Sequence, residues 1–422
     1  MKFAERMSTK AVYFFHHRLI NMKPSQQSVS QSNKSNLLIK LGLAAGLAFY
    51  IGLIAIQAQY RLFEYDFISF WSVGRIANTD GYSHIYDLST LAKYQHKNNM
   101  FEAVPAPFPA VFILPFQVIA LLPEETGSWV WRFINLAAFI SYCIFFSKKI
   151  QRFSLENEGL LALLLSLPVY INFAWAQVNV VAMIGIGEFI RFERRYLRGA
   201  ALGLLLIKPQ ILLLIIPILL FQKEWETLAG FIISAAVILL SSVALTGVNG
   251  IFQLVDLWIK YSTGLPSNEP EHMINWRMIA IQIGALMNSQ PVWLAAIIGV
   301  ILTGVCAVSL WRRQPDLQKP AVLPYLILNA LSATLLISWH SHLHHMLILI
   351  PPLIAIAVSD HTSQNFILRW MFSGIAFYLT IFVIGFLGLF APTPGSALLG
   401  VWGFSSNLIF LGWSYKKSMR LG

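Results

Sequence analysis

Residues 199–221 read GAALGLLLIKPQILLLIIPILLF. The run is long enough to cross a bilayer, which takes about 20 apolar residues. At its centre, however, stand Lys208 and Pro209. A charge at membrane depth is a functional hypothesis by default, and a proline biases the residue before it away from helical dihedrals. The stretch therefore predicts two half-length helices that enter and return, broken at Lys208-Pro209. Irregular backbone at that depth persists only where protein buries it or it lines a wet cavity. The fold this implies is an all-α polytopic membrane protein with helices broken around a cavity.

Composition agrees with that reading. The chain has 422 residues, 57% hydrophobic and 12% charged, against about 25% charged in an ordinary soluble protein. Its mean hydropathy is +0.64. The net charge of +11 would fit a nucleic-acid binder, but the basic residues fall in the N-terminal tail and in short loops. That distribution orients helices in a bilayer, so no nucleic-acid partner is expected. Cys143 and Cys306 both lie in apolar stretches, which points to packing and not to a disulfide framework or a metal site.

Working outward gives the domain organisation. Residues 1–36 are polar and basic and read as a cytoplasmic tail; 37–414 form the membrane domain; 415–422 form a second tail. The first span is 37–56. Residues 57–106 make a long external loop with interfacial helices at Ser69–Ala77 and Leu88–Lys97. Apolar segments follow at 105–123, 129–146, 159–171 and 180–190, the last two flanking NFAWAQVN (172–179). Further spans are expected at 227–245, 292–311, 321–339, 346–358, 366–390 and 397–414, with a polar external stretch at 246–277. The expectation is about 11–13 membrane segments, some half-length or re-entrant. Basic loops placed inside are consistent from residue 176 onward. Loop 148–158 breaks the rule unless 105–123 or 159–171 is re-entrant.

Several residues in this frame can carry chemistry. Asp66 opens DFISFWSVGRIANTDGYSHIYD (66–87), just beyond the first span, with Glu64 beside it. A carboxylate here suits a general base that deprotonates an attacking hydroxyl; equally, it suits a solvated interfacial Asp paired with Arg61 or Arg75. Lys208 can meet a phosphate, or form an ion pair with Glu188. His340, His342, His344 and His345 are the densest polar group of the C-terminal half. They fit ligand contact, an interfacial set, or a metal, although no HExxH or neighbouring carboxylate supports the last. Gln177 and Asn179 lie at a helix break, where amides bond sugar hydroxyls or satisfy freed backbone groups. Trp71, Trp175, Trp258 and Trp339 suit an aromatic belt, with sugar stacking as a second reading for Trp71. Asp87 is placed to cap the helix after it. No phosphate-cradling glycine loop is present, so a nucleotide-binding domain is not expected.

The order of these motifs resembles glycosyltransferase family 87, the polyprenol-phosphate-mannose-dependent mannosyltransferases of the GT-C fold. The resemblance runs over residues 37–360, from the Asp66 stretch through Phe108-Pro109, Leu122-Pro123, Gln177-Val178-Asn179, Leu197-Arg198-Gly199, Lys208-Pro209 and Ser338-Trp339-His340-Ser341-His342-Leu343-His344. It departs at Pro107-Phe108-Pro109, where the family has Tyr-Pro-Pro, and at His345, where relatives often have Asp. The resemblance implies an inverting transfer of a hexose, mannose by preference, from a polyprenyl-phosphate donor to an extracytoplasmic lipid or glycan acceptor. It implies Asp66 as base; Lys208, His340, His342 and His344 at the donor phosphate; and Trp71, Gln177 and Asn179 at the sugar or acceptor. No metal and no cofactor are needed. A bacterial inner-membrane enzyme is expected, with membrane lipids as its surroundings. The rival reading is a transporter or lipid flippase, which broken helices and a buried lysine would also fit.

Overall fold

The computed structural model describes residues 41, 44–46, 48–54, 65–150, 163, 165–263, 270–313, 321–386 and 392–421. Glu64, Arg61, the tail 1–36 and most of loop 148–158 lie outside these residues. Among the described residues there is no strand. The chain runs through α1 (Tyr65–Thr79), α2 (Leu88–Tyr94), α3 (Leu114–Ile119), α4 (Glu124–Ile150), α5 (Leu167–Ala174), α6 (Asn179–Arg191), α7 (Arg195–Leu202) and α8 (Leu212–Phe221). It continues through α9 (Trp225–Thr263), α10 (Trp276–Leu286), α11 (Trp293–Arg313), α12 (Leu323–Ile337), α13 (Ile350–Ser359), α14 (His361–Phe386) and α15 (Pro392–Leu421). Five of these, α4, α9, α11, α14 and α15, contain windows long and apolar enough to cross a membrane. Shorter apolar helices accompany them, among them Pro209–Phe221, Trp276–Leu286 and Leu323–Ile337. The protein is thus an all-α polytopic membrane protein.

The break in 199–221 falls where the proline puts it. α7 ends in a 3-10 turn over 203–207, Lys208 leaves helical geometry at φ −144° and ψ 77°, and α8 resumes after a second 3-10 turn. The 105–123 segment is not one span-length helix. It is irregular to Pro109, with a bend at Phe108, then forms a 3-10 turn over 110–113 and the six-residue α3.

α12 is short but apolar on every side, and Leu323 to Leu336 are all buried. A helix hydrophobic all round belongs in the interior. Its one amide, Asn329, donates to the Leu411 carbonyl at 3.0 Å on α15. α7 and α9 meet through glycines. A Cβ on Gly199 would overlap the Thr227 carbonyl, and one on Gly230 the Tyr196 carbonyl. Small residues allow such close approach between helices in membranes.

Residues 246–263, read as a polar external stretch, are helical, because α9 runs on past a kink at Gly247 (φ 72°). The C-terminal helix runs through 415–421. There Lys417 bonds Asp360 at 2.9 Å, and Tyr325 donates to the same carboxylate at 2.8 Å.

Candidate active site

The site forms where two helix breaks meet. The first is the turn between α5 and α6. Trp175 leaves the helix, and Ala176 takes the left-handed conformation at φ 51°, which is uncommon for a residue with a Cβ. Such a turn frees carbonyls that have no helical partner. α4 supplies the donors. Arg132 donates to the Phe173 carbonyl at 3.1 Å and the Ala174 carbonyl at 3.0 Å. Trp131 donates to the Ala176 carbonyl at 2.8 Å, and Asn135 to that of Gln177. Residues 131, 132 and 135 share one helical face. One stripe of α4 therefore holds the whole turn.

Held in this way, Gln177 points its side chain between two charged groups. Its Nε2 donates to Asp66 Oδ2 at 2.7 Å, and its Oε1 accepts from Lys208 Nζ at 3.0 Å. A carboxylate only accepts and an ammonium only donates, so the orientation of the amide is unambiguous. Asp66 is half-buried in the first turn of α1. Arg75, a candidate partner for it, instead donates to the Ala120 carbonyl at 3.4 Å.

The second break is at Lys208. Its side chain is buried, and its Nζ lies 3.2 Å from His345 Nε2 and 3.4 Å from His344 Nε2. The ion pair considered with Glu188 does not form, since that carboxylate bonds Arg191 and Tyr142. The Lys208 N–H is already used by the Leu205 carbonyl at 2.8 Å. What faces the site is the ammonium.

The histidines arrive on the segment after α12. Residues 338–342 leave the helix and 343–349 form a 3-10 turn. Because the turn is tight, the rings of His342, His344 and His345 come together, with 5.7 Å between the first two and 4.4 Å between the last two. His340 lies 4.8 Å from His342. The His345 ring is fixed from behind by the His342 backbone, its Nδ1 being 2.9 Å from the amide nitrogen. Residues from the expected loop 246–277 brace this segment. Asn275 donates to the Ser338 carbonyl and the Ile274 N–H to that of Ser341, both at 2.8 Å.

Facing an ammonium, the Nε2 of His344 accepts, which leaves its proton on Nδ1. That atom is buried and meets no hydrogen-bond partner; nor does the indole nitrogen of Trp175, whose ring lies 5.5 Å from His344. Two orphaned donors beside an ammonium and a carboxylate suit a ligand rich in hydroxyls and negative charge. Among the described residues, no group of His, Cys, Asp or Glu is arranged to hold a metal ion.

Asp66, Gln177, Lys208 and the histidines come together, then, and two other expected residues do not join them. Trp71 donates its indole N–H to the Leu122 carbonyl at 3.0 Å, because five positions along α1 turn it away from the Asp66 side. Asn179 is fully buried and donates to Asn172 at 2.9 Å, so its amide serves the turn. Trp175 lies beside the cluster, its ring 6.4 Å from that of His342. Arg132 and Asn135 were missed, although an arginine inside the apolar run 129–146 is the same signal that singled out Lys208.

Residues 106–338 match the family model described as glycosyltransferase family 87. No curated protein and no solved structure matches the chain. The matched segment contains Gln177 and Lys208. It stops short of Asp66 on one side and of His340 to His345 on the other, so it is narrower than the resemblance drawn over 37–360.

Proposed function

The chain belongs to glycosyltransferase family 87, and from that premise we propose that it transfers a hexose, mannose by preference, from a polyprenyl-phosphate donor to an extracytoplasmic lipid or glycan acceptor, inverting the anomeric centre. A glycosyltransferase takes a sugar donor and an acceptor, which sets aside the transporter reading. The plasma membrane and an outward-facing site within a GT-C fold belong to the same proposal.

In this proposal Asp66 accepts the proton of the acceptor hydroxyl as its oxygen attacks the anomeric carbon. The bond from that carbon to the phosphate oxygen breaks, and the phosphate leaves with the electron pair. Lys208 meets the negative charge that develops there, with His340, His342 and His344 around the phosphate. Gln177 holds the base and the cation in one frame. The Trp175 N–H and the His344 Nδ1 proton are the donors available to sugar or phosphate oxygens. Trp71 and Asn179, bound to Leu122 and Asn172, act at one remove as supports of the site.

The single observation that carries the reading is the Gln177 amide between carboxylate and ammonium. It keeps a carboxylate and an ammonium on either side of one fixed group, which supports reading them as base and phosphate-binding cation.

The test is transfer from radiolabelled polyprenyl-phosphate-mannose to a membrane lipid extract, comparing the purified protein with Asp66→Asn. The expected result is transfer by the native protein and a fall of about 10²–10⁴-fold in a folded variant. Full activity in the variant would remove Asp66 as base and turn attention to Glu64. No transfer from this donor, with transfer from another polyprenyl-phosphate sugar, would overturn mannose alone. Inactivity with every such donor in the presence of the extract would overturn the donor class.

A further inference from the structure

The second half of α9 has three faces. Beyond Gly247, residues Val248, Phe252, Val255 and Ile259 are exposed at 61%, 69%, 41% and 57%. Their spacing places them within about 60° of arc on a helix of 3.6 residues per turn. A second stripe is also exposed but polar: Asn249, Gln253 and the Asp256–Lys260 ion pair. The third stripe is buried against the protein. Leu254 and Leu257 are covered, and Trp258 donates to the Pro107 carbonyl at 2.7 Å.

A water-soluble surface would not expose that apolar stripe beside a polar one. A membrane-spanning helix would not carry the polar stripe facing lipid. A helix lying in the plane of the bilayer surface has both, one turned down and the other up. The geometry of the rest of α9 agrees. Residues 225–246, at 1.5 Å per residue, are about 33 Å long, close to the roughly 30 Å of a hydrocarbon core. The kink at Gly247 thus falls where the helix leaves the core, and its φ of 72° is one that glycine adopts readily.

We propose that residues 248–263 form an amphipathic helix lying in the head-group layer of the bilayer, with Val248, Phe252, Val255 and Ile259 inserted among the lipids. The occupant of this apolar stripe is the leaflet that the first half of α9 has just crossed. The helix also reaches toward the site. Through Trp258 it holds Pro107, and Phe108 lies 5.6 Å from Phe70 on α1, the helix that carries Asp66. Anchoring this helix fixes the depth at which α1 stands relative to the lipid surface. The assignment does not depend on the proposed reaction.

Site-directed spin labelling of the full-length protein tests it. Cys143 and Cys306 are replaced by serine, and single cysteines are placed by Phe252→Cys, Val255→Cys, Asn249→Cys and Gln253→Cys. Each labelled protein is reconstituted in phosphatidylethanolamine–phosphatidylglycerol vesicles. Collision with oxygen and with a water-soluble nickel chelate then reads the depth. Labels at 252 and 255 are expected about 5–10 Å below the phosphates, and those at 249 and 253 in water. Two positions on each face keep the test intact if one variant fails to fold. Equal water exposure at all four would overturn the proposal. So would dipolar broadening between copies of the protein labelled at 252 alone or at 255 alone, which would show a second copy covering the stripe.

Discussion

Gln177 donates a hydrogen bond of 2.7 Å to Asp66 across 111 positions of sequence. The same amide accepts from Lys208, so the carboxylate and the ammonium are fixed relative to one another without touching. The intervening amide spaces the two charges instead of letting them form a direct ion pair.

Replacing Gln177 by leucine removes that link while keeping a similar volume. Sugar transfer should slow by about 10²-fold, the scale on which small misplacements of catalytic groups act. Steady-state kinetics checks it. The loss should appear in kcat more than in the donor KM, because the amide positions and does not supply the charge.

Lys208→Met removes the cation but leaves neutral neighbours, so the variant should fold. Transfer should fall by about 10²–10³-fold if the ammonium meets the leaving phosphate. Lys208→Arg should not restore it, because a planar fork cannot occupy a place shaped around one nitrogen by Gln177, His344 and His345. Single-turnover rates with saturating donor separate this effect from binding.

Arg132→Met should act through the turn it holds. The Ala174 carbonyl would lose its donor, at about 1–3 kcal/mol for a buried group left unsatisfied, while the Phe173 carbonyl would keep the Ala176 N–H at 3.1 Å. A lower melting temperature in detergent is expected, together with loss of transfer. Phe133→Leu, at a position 74% exposed on the same helix, should change neither.

Gly199→Val and Gly230→Val should each push α7 away from α9, since the added carbon meets backbone, which cannot rotate aside. Overpacking of this kind costs about 1–3 kcal/mol. Gly304→Ala on α11, where nothing lies within 4 Å of the new carbon, should be neutral. The yield of monodisperse protein after purification distinguishes them.

Asp87 caps α2 by accepting from the Ser89 N–H at 2.9 Å. Partial burial raises its carboxyl, but the hydrogen bonds from Ser89 and Thr90 outweigh this and hold it below the ordinary carboxylate range. Its contribution is therefore present above the unfolded-state pKa and lost as pH falls through the lower folded value. Asp87→Ala should cost about 1 kcal/mol at neutral pH, and the difference from native protein should shrink in acid. Thermal unfolding across that range reads it.

Local chemistry determined much of this protein from sequence alone. The apolar runs fixed an all-α membrane fold, because a bilayer admits only structures whose backbone groups bond internally. Lys208-Pro209 determined a break, because proline restricts the residue before it whatever surrounds them. The apolar context made Lys208, Gln177 and the histidines candidates, because polar groups at membrane depth are costly. Tertiary structure decided which of them meet. Asn179 and Gln177 are two residues apart and looked equivalent; the left-handed turn at Ala176 sends one toward Lys208 and the other toward Asn172. Arg132 looked like part of a span until the carbonyls of that turn were found beside it. Residues 246–263 looked like loop because their polar residues fill one stripe of a three-sided helix, and a linear reading averages the three faces together. The contacts of Gln177 with Asp66, of Arg132 with Phe173 and of Trp258 with Pro107 join segments far apart in the chain, so no local window contains them.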